Sequence, residues 1–258
     1  MAPNSSTTIP VYREHQPDPA LSRYIECVWT LDSPTAIDNH RVPPDGCLDI
    51  VYDRAHGLRA IGTMTTEQHF HFPRGAQLTG IRFRPGMARM FLGISSAELT
   101  DASLPLEDLW STRARDLQRR LDDVDADAGS IQRASRILFD NLPAPAGAPI
   151  PPQQAIESLA AAHGNADLDL IARHANLSPR QFRRRCLEET GLTPKRLARV
   201  LRFRHACRIA DALDRPNWSD IALEAEYFDQ AHLIRDFHQF TGQTPMAVFS
   251  NTRPRRPA

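Results

Sequence analysis

The sequence has 258 residues, of which 41% are apolar and 24% charged, and this is enough chain for two ordinary domains with buried cores. No apolar run approaches the roughly 18 residues that span a bilayer, and the N-terminus has no basic segment followed by an apolar one. We therefore expect no membrane span, no secretory signal and a cytoplasmic location. The four cysteines (Cys27, Cys47, Cys186 and Cys207) include no CxxC pair, which argues against a zinc knuckle and against a disulfide scaffold.

The formal net charge of zero hides an asymmetry between the two halves. Residues 1–150 carry 15 Arg against 19 Asp and Glu, whereas residues 151–258 carry 16 Lys and Arg against 12 Asp and Glu. Between Arg173 and Arg208 lie eleven basic residues and only two acidic ones. Such a density is typical of a polyanion-binding surface, although a solvated helical face would have it too.

A proline-rich segment divides the chain. Residues 142–152 (LPAPAGAPIPP) hold five prolines in eleven residues, so they can neither continue a helix nor pair regularly in a sheet. We expect a sensor or dimerisation domain over 1–141, a linker over 142–152, an all-α domain over 153–250 and a basic tail over 251–258.

The first domain begins with strand patterns and ends with helical ones. The runs CLDIVYD (47–53) and AQLTGIRFRPG (76–86) predict strands, and Ile81 and Phe83 of the second run lie on one face while Arg82 and Arg84 lie on the other. Helical spacing follows Met87, with Gly93 as a stop, and returns around Leu117 and Leu121. The predicted fold class is α+β in two domains: a β-rich, cupin-like N-terminal domain with trailing helices, then an all-α domain.

The second domain contains an internal repeat. The sequence TGLTP (190–194) returns 51 residues later as TGQTP (241–245). At this offset the following apolar positions align: Leu170 with Ile221, Ala172 with Leu223, Leu177 with Phe228, Phe182 with Leu233, and Cys186 with Phe237. We interpret the repeat as one supersecondary unit used twice.

Helix-start signals define that unit as a helix-turn-helix. Asp167 is an expected N-cap for a short helix through His174, and the sequence SPRQ from Ser178 predicts a capping box with proline at the first helical position. This second helix ends at Gly191, and Thr193 with Pro194 starts a linking helix through Leu213. The linking helix would set two recognition helices about one turn of DNA apart.

The side chains on the outward faces predict which residues contact DNA. Arginine forks suit guanine or phosphate, and glutamine suits adenine. The expected base-contacting residues are Arg180, Arg183 and Arg184 in the first unit and Gln230, His232 and Arg235 in the second. The expected phosphate contacts at the start of the linking helix are Lys195, Arg196 and Arg199, with plain solvation as the alternative.

The sequence from Asp167 to Phe249 resembles the AraC/XylS family of bacterial transcription regulators. The motifs that carry this resemblance are LDLIARHANLSPRQFRRRCLEETGLTPKRL, RFRHACRIADAL and SDIALEAEYFDQAHLIRDFHQFTGQTP. The resemblance implies base contacts by the six residues given above, no catalytic role, and RNA polymerase as a partner if the protein is an activator. One departure is Glu226-Tyr227, where the family usually has Gly-Phe. In addition, Glu226, Asp229 and Asp236 would place negative charge near the second recognition helix.

The first domain resembles an uncharacterised domain found ahead of AraC-type DNA-binding domains, and PPDGCLDIVYD with GIRFRPG carries this resemblance. It implies a sensory domain with a small-molecule effector or a homodimer interface. Arg82 and Arg84 are the expected effector contacts, with surface salt bridges as the alternative. The His69 and His71 pair lacks a third ligand at suitable spacing, and Cys47 lacks the geometry of a nucleophile, so we expect no metal, no cofactor and no catalytic site.

Two alternatives belong to other functional classes. A DNA-repair or DNA-modification enzyme could use the helix-turn-helix module for delivery, but such proteins use clustered reactive or zinc-bound cysteines. A metabolite-binding protein with an incidental helical domain would bind DNA without steep salt dependence. Sequence-specific regulation of transcription explains the duplicated basic units best.

Overall fold

The computed structural model describes residues 10–125, 127 and 129–252. Its first half holds eight strands: β1 (Val11–His15), β2 (Ile25–Ser33), β3 (Ile37–Val42), β4 (Leu48–Asp53), β5 (Gly57–Ile61), β6 (Gln68–Phe72), β7 (Ala76–Phe83) and β8 (Ser103–Pro105). Six strands form an antiparallel sheet in the order β1-β2-β7-β4-β5-β8, and β3 pairs with β6 in a second sheet. The two strand runs predicted from sequence are β4 and β7, which are neighbours in the large sheet.

The side chains of the large sheet alternate between its two faces, and an apolar cluster lies on each face. On one face, Ile50, Ile81 and Phe83 pack against helices in the principal core of this half. The described residues of this half also form four α-helices, α1 (Arg89–Leu92), α2 (Glu107–Trp110), α3 (Thr112–Asp122) and α4 (Ser130–Asp140), and a 3₁₀-helix (Ser96–Leu99). On the other face, Trp29 and neighbouring apolar residues form a smaller cluster. A β-rich domain with trailing helices is therefore confirmed.

The second half is entirely helical. Its helices are α5 (Pro151–Ala161), α6 (Leu168–His174), α7 (Pro179–Thr190), α8 (Pro194–Asp211), α9 (Trp218–Glu224), α10 (Gln230–Thr241) and α11 (Pro245–Thr252). The long helix α8 lies at the centre, where Leu197, Phe203 and Ala206 pack between the two helix-turn-helix units. Among the helices that the structure describes, none is both long and apolar enough to cross a membrane.

A helix extends into one end of each of the two chain segments that the sequence predicts as a linker (142–152) and a tail (251–258). Helix α4 ends at Asp140 and α5 begins at Pro151, so Pro151 and Pro152 form the first turn of α5. Proline is accommodated there because the first helical N–H groups have no partner inside the helix. Residues 251 and 252 end α11, and the rest of the predicted basic tail lies outside the described residues.

Candidate nucleic-acid interface

Helices α6 and α7 form the first helix-turn-helix unit, and side-chain caps fix both of their N-termini. The Asp167 carboxylate accepts hydrogen bonds from the N–H groups of Asp169 and Leu170. Ser178 and Gln181 form the predicted capping box, in which each side chain bonds the other residue's backbone N–H. These bonds start α7 at Pro179 and thereby determine which of its side chains face outward.

The outward face of α7 is strongly basic. Phe182 and Cys186 are buried against the core, whereas Arg180, Arg183 and Arg184 on the opposite face are exposed. Within the described part of the chain, the side chains of Arg180 and Arg183 make no hydrogen bond or ion pair, and the Arg184 side chain lies 3.8 Å from that of Glu188. The first unit therefore presents at least two uncompensated guanidinium groups to solvent.

Helices α9 and α10 form the second unit, whose turn is one residue longer than that of the first. Ala175 to Ser178 separate α6 from α7, whereas Ala225 to Asp229 separate α9 from α10. The first helices of the two units therefore correspond at an offset of 50, and the recognition helices correspond at 51.

The constant offset expected from sequence is thus wrong for the first helices. Ile171 and Ala172 are buried like Ile221 and Ala222, whereas Leu170 and Leu223 are exposed. The extra residue in the second turn is the physical reason, because it shifts the helix before it by one position relative to the helix after it.

Glu226 adopts the backbone conformation that glycine would favour. Its φ is 56°, and Asn176, at the same place in the first unit, has a φ of 55°. Asparagine tolerates this left-handed region better than glutamate does, because its short side chain bonds locally. Glu226 therefore keeps the left-handed backbone that a glycine would favour, and it carries strain there.

The outward face of α10 is less basic than that of α7. Gln230 and Arg235 are exposed; the Gln230 side-chain oxygen accepts a hydrogen bond from the Ser219 hydroxyl, and Arg235 lies 4.0 Å from Asp229. His232 is half-buried, with its ring 5.1 Å from the Tyr227 ring in an edge-to-face arrangement. Arginine is thus replaced on this face mainly by neutral hydrogen-bonding groups.

The three expected phosphate contacts on α8 have different surroundings. Lys195 is exposed. Arg196 donates to the Thr65 carbonyl at 2.5 Å and lies 4.9 Å from the centre of the Phe240 ring, and burial lowers its pKa. The guanidinium of Arg199 bonds Asp236 and Gln239, so Arg196 and Arg199 are both engaged inside the protein.

Asp236 does not add negative charge to the reading surface. Its side chain is fully buried, and its two carboxylate oxygens bond Arg199 at 2.5 Å and the Tyr227 hydroxyl at 3.3 Å. The Arg202 guanidinium lies 5.5 Å from the Tyr227 ring. This network joins α8 to α10 and therefore sets the position of the second recognition helix.

The N-terminal half contacts the C-terminal ends of both recognition helices. At the end of α7, the Ser96 hydroxyl donates to the Glu189 carbonyl at 2.8 Å and the Thr100 hydroxyl donates to the Gly191 carbonyl at 3.2 Å. At the end of α10, the Glu67 N–H donates to the Phe240 carbonyl at 2.7 Å. Helix C-terminal carbonyls lack partners within the helix, so these bonds satisfy them. The N-terminal ends of α7 and α10 are left exposed.

The expected effector contacts Arg82 and Arg84 have different surroundings in the structure. Arg82 lies 3.3 Å from Asp45 and from Asp49 and 3.6 Å from Glu14. Burial by itself lowers the pKa of Arg82, but Asp49 and Asp45 raise it well above its ordinary value. Arg84 donates to the Ser22 carbonyl at 2.8 Å and is exposed. An anionic effector would have to compete with several carboxylates at Arg82.

His69 and Cys47, which the sequence singles out, lie beside polar and charged side chains of the protein itself. His69 lies 2.6 Å from the Asn39 side-chain oxygen and 3.3 Å from Glu67, and the described residues contain no group of three or more metal-ligating side chains suited to hold a metal. Cys47 is buried between Glu26 and Arg204 where the two halves meet, and burial raises its pKa well above its ordinary value. A thiol with this pKa stays protonated at neutral pH, which does not suit a nucleophile.

This geometry defines a double helix-turn-helix protein, and the comparisons with known families agree. Residues 171–251 match the family model of a helix-turn-helix domain, and residues 13–105 match that of a domain of unknown function, DUF6597. The C-terminal domain is thus an AraC-type helix-turn-helix domain behind a DUF6597 domain, as the sequence resemblance implied. The chain is a DNA-binding transcription regulator, and its domain content points away from an enzyme.

Solved structures of low similarity were also found. ToxT from Vibrio cholerae is 10% identical with a TM-score of 0.41, over 93% of this chain and 97% of that one. Unsaturated fatty acid-bound wild-type ToxT from V. cholerae strain SCE256 is 11% identical with a TM-score of 0.42, over 96% of each chain. No match was found among curated proteins.

Proposed function

We propose that the protein is a sequence-specific regulator that reads two successive major grooves of one DNA face, with α7 in one groove and α10 in the next. The observation that carries the proposal is the shared polarity of these helices: the N-terminal end of each is exposed, and the C-terminal end of each bonds the N-terminal half. Helix α8 has 18 residues, or about 27 Å, which suits two readers about 34 Å apart.

The two readers would contribute differently. Arg180, Arg183 and Arg184 suit guanine O6 and N7 or phosphate, so the first unit would supply most of the electrostatic affinity. Gln230 suits adenine N6 and N7, with His232 beside it and Arg235 directed to a base or a phosphate. Of the three α8 residues predicted to contact phosphate, Lys195 has the exposure that such a contact needs. The second unit would contribute sequence discrimination more than affinity.

The N-terminal half would sense an effector or join two copies of the chain. A cavity of about 310 Å³ between the large sheet and helices α3 and α4 is one space that could admit a small molecule, and Tyr52, Arg54, Gln77 and Ile131 lie in its wall. Arg82 and Arg84 lie outside this wall. An activator of this kind would also contact RNA polymerase.

The test is selection of bound duplexes from a random pool, followed by affinity measurements at several salt concentrations. We expect a motif of two blocks about one helical turn apart, with affinity falling steeply as salt rises. Arg180→Ala should weaken binding by 5- to 150-fold. Arg136→Ala, a matched control on an exposed position of α4, should bind like the wild type. Absence of an enriched motif, or binding indifferent to salt, would overturn the proposal.

A further inference from the structure

An aromatic side chain lies unprotected beside the second recognition helix. The Phe228 side chain is 92% exposed, and the nearby Leu223 of α9 is 79% exposed. Burial of an aromatic ring removes a large apolar area from water, and a ring this exposed gains that stabilisation nowhere within the described chain. Phe228 therefore needs an explanation that the packing of the chain does not supply.

The longer second turn explains how Phe228 becomes exposed. In the first unit, the Leu177 N–H bonds the Ala172 carbonyl, and the Leu177 side chain packs partly against the core. In the second unit, Tyr227 makes the equivalent bond to Ala222 and fills the buried position. Phe228 is the extra residue between this buried position and the N-cap, so no core site is left for it.

The position of Phe228 is next to the end of α10 that would read bases. It directly precedes the N-cap Asp229, whose carboxylate accepts a hydrogen bond from the His232 N–H at 2.6 Å, and α10 begins at Gln230. In helix-turn-helix complexes the N-terminal residues of the recognition helix contact base edges in the major groove. A ring at this end would reach the same groove floor as Gln230.

The chemistry of the site favours an apolar contact over an ionic one. In the sequence, Glu226 stands two positions before Phe228 and Asp229 directly after it, and α10 has Arg235 as its one arginine. A phosphate is disfavoured beside two carboxylates, whereas the C5-methyl group of thymine is the one apolar group on the major-groove edges and is contacted by phenylalanine. We propose that Phe228 is a specificity-determining residue that packs against a thymine methyl group in the second half-site. The inference rests on the proposed DNA-binding function.

The test replaces each thymine of the second half-site, one at a time, by deoxyuridine, which lacks only the methyl group. On the selected duplex, wild-type protein should lose about fourfold in affinity at one thymine, as expected for exposing one methyl-sized group. Phe228→Ala should bind the thymine duplex about fourfold or more weakly and should not distinguish thymine from uracil at that position. Leu223→Ala is the matched control and should distinguish them like the wild type.

Several outcomes separate this inference from the proposed function. If the wild type binds the selected site but Phe228→Ala retains the thymine preference, or loses affinity equally for both bases, the methyl contact is overturned and DNA reading stands. Unchanged DNA binding by Phe228→Ala also overturns it, and points to a protein partner for the ring. If the wild type binds no duplex, the proposed function itself fails. Equal melting temperatures of the variant and the wild type check that the variant is folded.

Discussion

Arg199 offers a direct test of the buried network between α8 and α10. The sequence predicts a phosphate contact, whereas in the structure its guanidinium bonds Asp236, which is fully buried. Arg199→Met keeps the aliphatic stem near the Phe240 ring, which lies 5.5 Å from the guanidinium carbon, and removes the charge. Asp236 would retain only the Tyr227 hydroxyl, at 3.3 Å, among the hydrogen bonds that now hold it.

The expected loss in the free energy of unfolding follows from leaving the buried Asp236 carboxylate without its positively charged partner. Removing one partner of a buried pair costs about 3–5 kcal/mol. We expect about 3 kcal/mol, the lower end of that range, because the Arg199 side chain is itself 26% exposed and the Tyr227 bond remains. For a chain of this size that corresponds to a fall in melting temperature of about 6–12 °C.

The assay is thermal unfolding followed by far-ultraviolet circular dichroism, with DNA affinity measured on the same samples. The double variant Arg199→Met/Asp236→Leu should recover at least half of the lost stability, since an apolar pair removes the uncompensated charge. Arg183→Met, on the exposed face of α7, should leave the melting temperature unchanged. If Arg199→Met melts like the wild type but reduces the salt dependence of DNA binding by about one phosphate contact, the network reasoning is refuted.

Three further predictions concern strain, pH and close backbone approach. Glu226→Asn should stabilise the protein by about 0.5–1 kcal/mol in urea unfolding, because asparagine relieves left-handed strain; a loss of stability would contradict this. Burial and the neighbouring His163, whose ring stacks on that of His205, lower the pKa of His205. The unfolded chain therefore binds the proton more readily, so this contribution to stability should be full above pH 6.5 and should fall as the pH drops below it. His205→Gln should flatten that dependence in melting curves. Gly164→Ala should lower the melting temperature much more than Gly242→Ala, although both residues have positive φ: an added Cβ at Gly164 would lie 2.0 Å from a carbonyl oxygen of α8, whereas at Gly242 nothing lies within 4 Å. Equal falls in melting temperature for the two variants would contradict the importance of the close approach between Gly164 and α8.

Local signals predicted the helix ends of the first unit well. The sequence SPRQ predicts a capping box at Ser178, and the structure has that box with both of its hydrogen bonds. Thr193 with Pro194 likewise starts α8, and Gly191 ends α7 with a left-handed backbone. Such signals can be read from sequence because a cap depends on residues within one turn of helix.

The register of the repeat could not be predicted in the same way. The motifs TGLTP and TGQTP follow the recognition helices, so they fix the offset of those helices and not of the helices before the turn. Aligning Asp167 with Asn217 as N-caps would have given the offset of 50. The capping residues therefore indicate the correct offset for the first helices, whereas the spacing of apolar residues fits an offset of 50 or 51.

The surroundings of the basic residues also lay beyond sequence reasoning. Arg196 and Arg199 stand in a basic run, and nothing in that run tells which of its side chains the rest of the fold will cover. The partner of Arg196 is the Thr65 carbonyl, 131 positions away, and the partner of Arg199 is an aspartate on another helix. Charge density therefore predicts a binding surface better than it predicts its individual contacts.

The contacts between the halves suggest how the N-terminal half would influence DNA reading. Ser96 and Thr100 bond the end of α7, and Glu67 bonds the end of α10, so both readers are attached to one β-rich body. Arg204 of α8 also forms an ion pair with Glu26 of β2, where water is largely excluded. A recognition helix tolerates little displacement from its groove, and packed interfaces switch between discrete arrangements rather than deform smoothly. A small rearrangement of the loop that carries Glu67, or of the 3₁₀-helix that carries Ser96, would therefore change the spacing of the two recognition helices, without any change inside the helix-turn-helix units themselves.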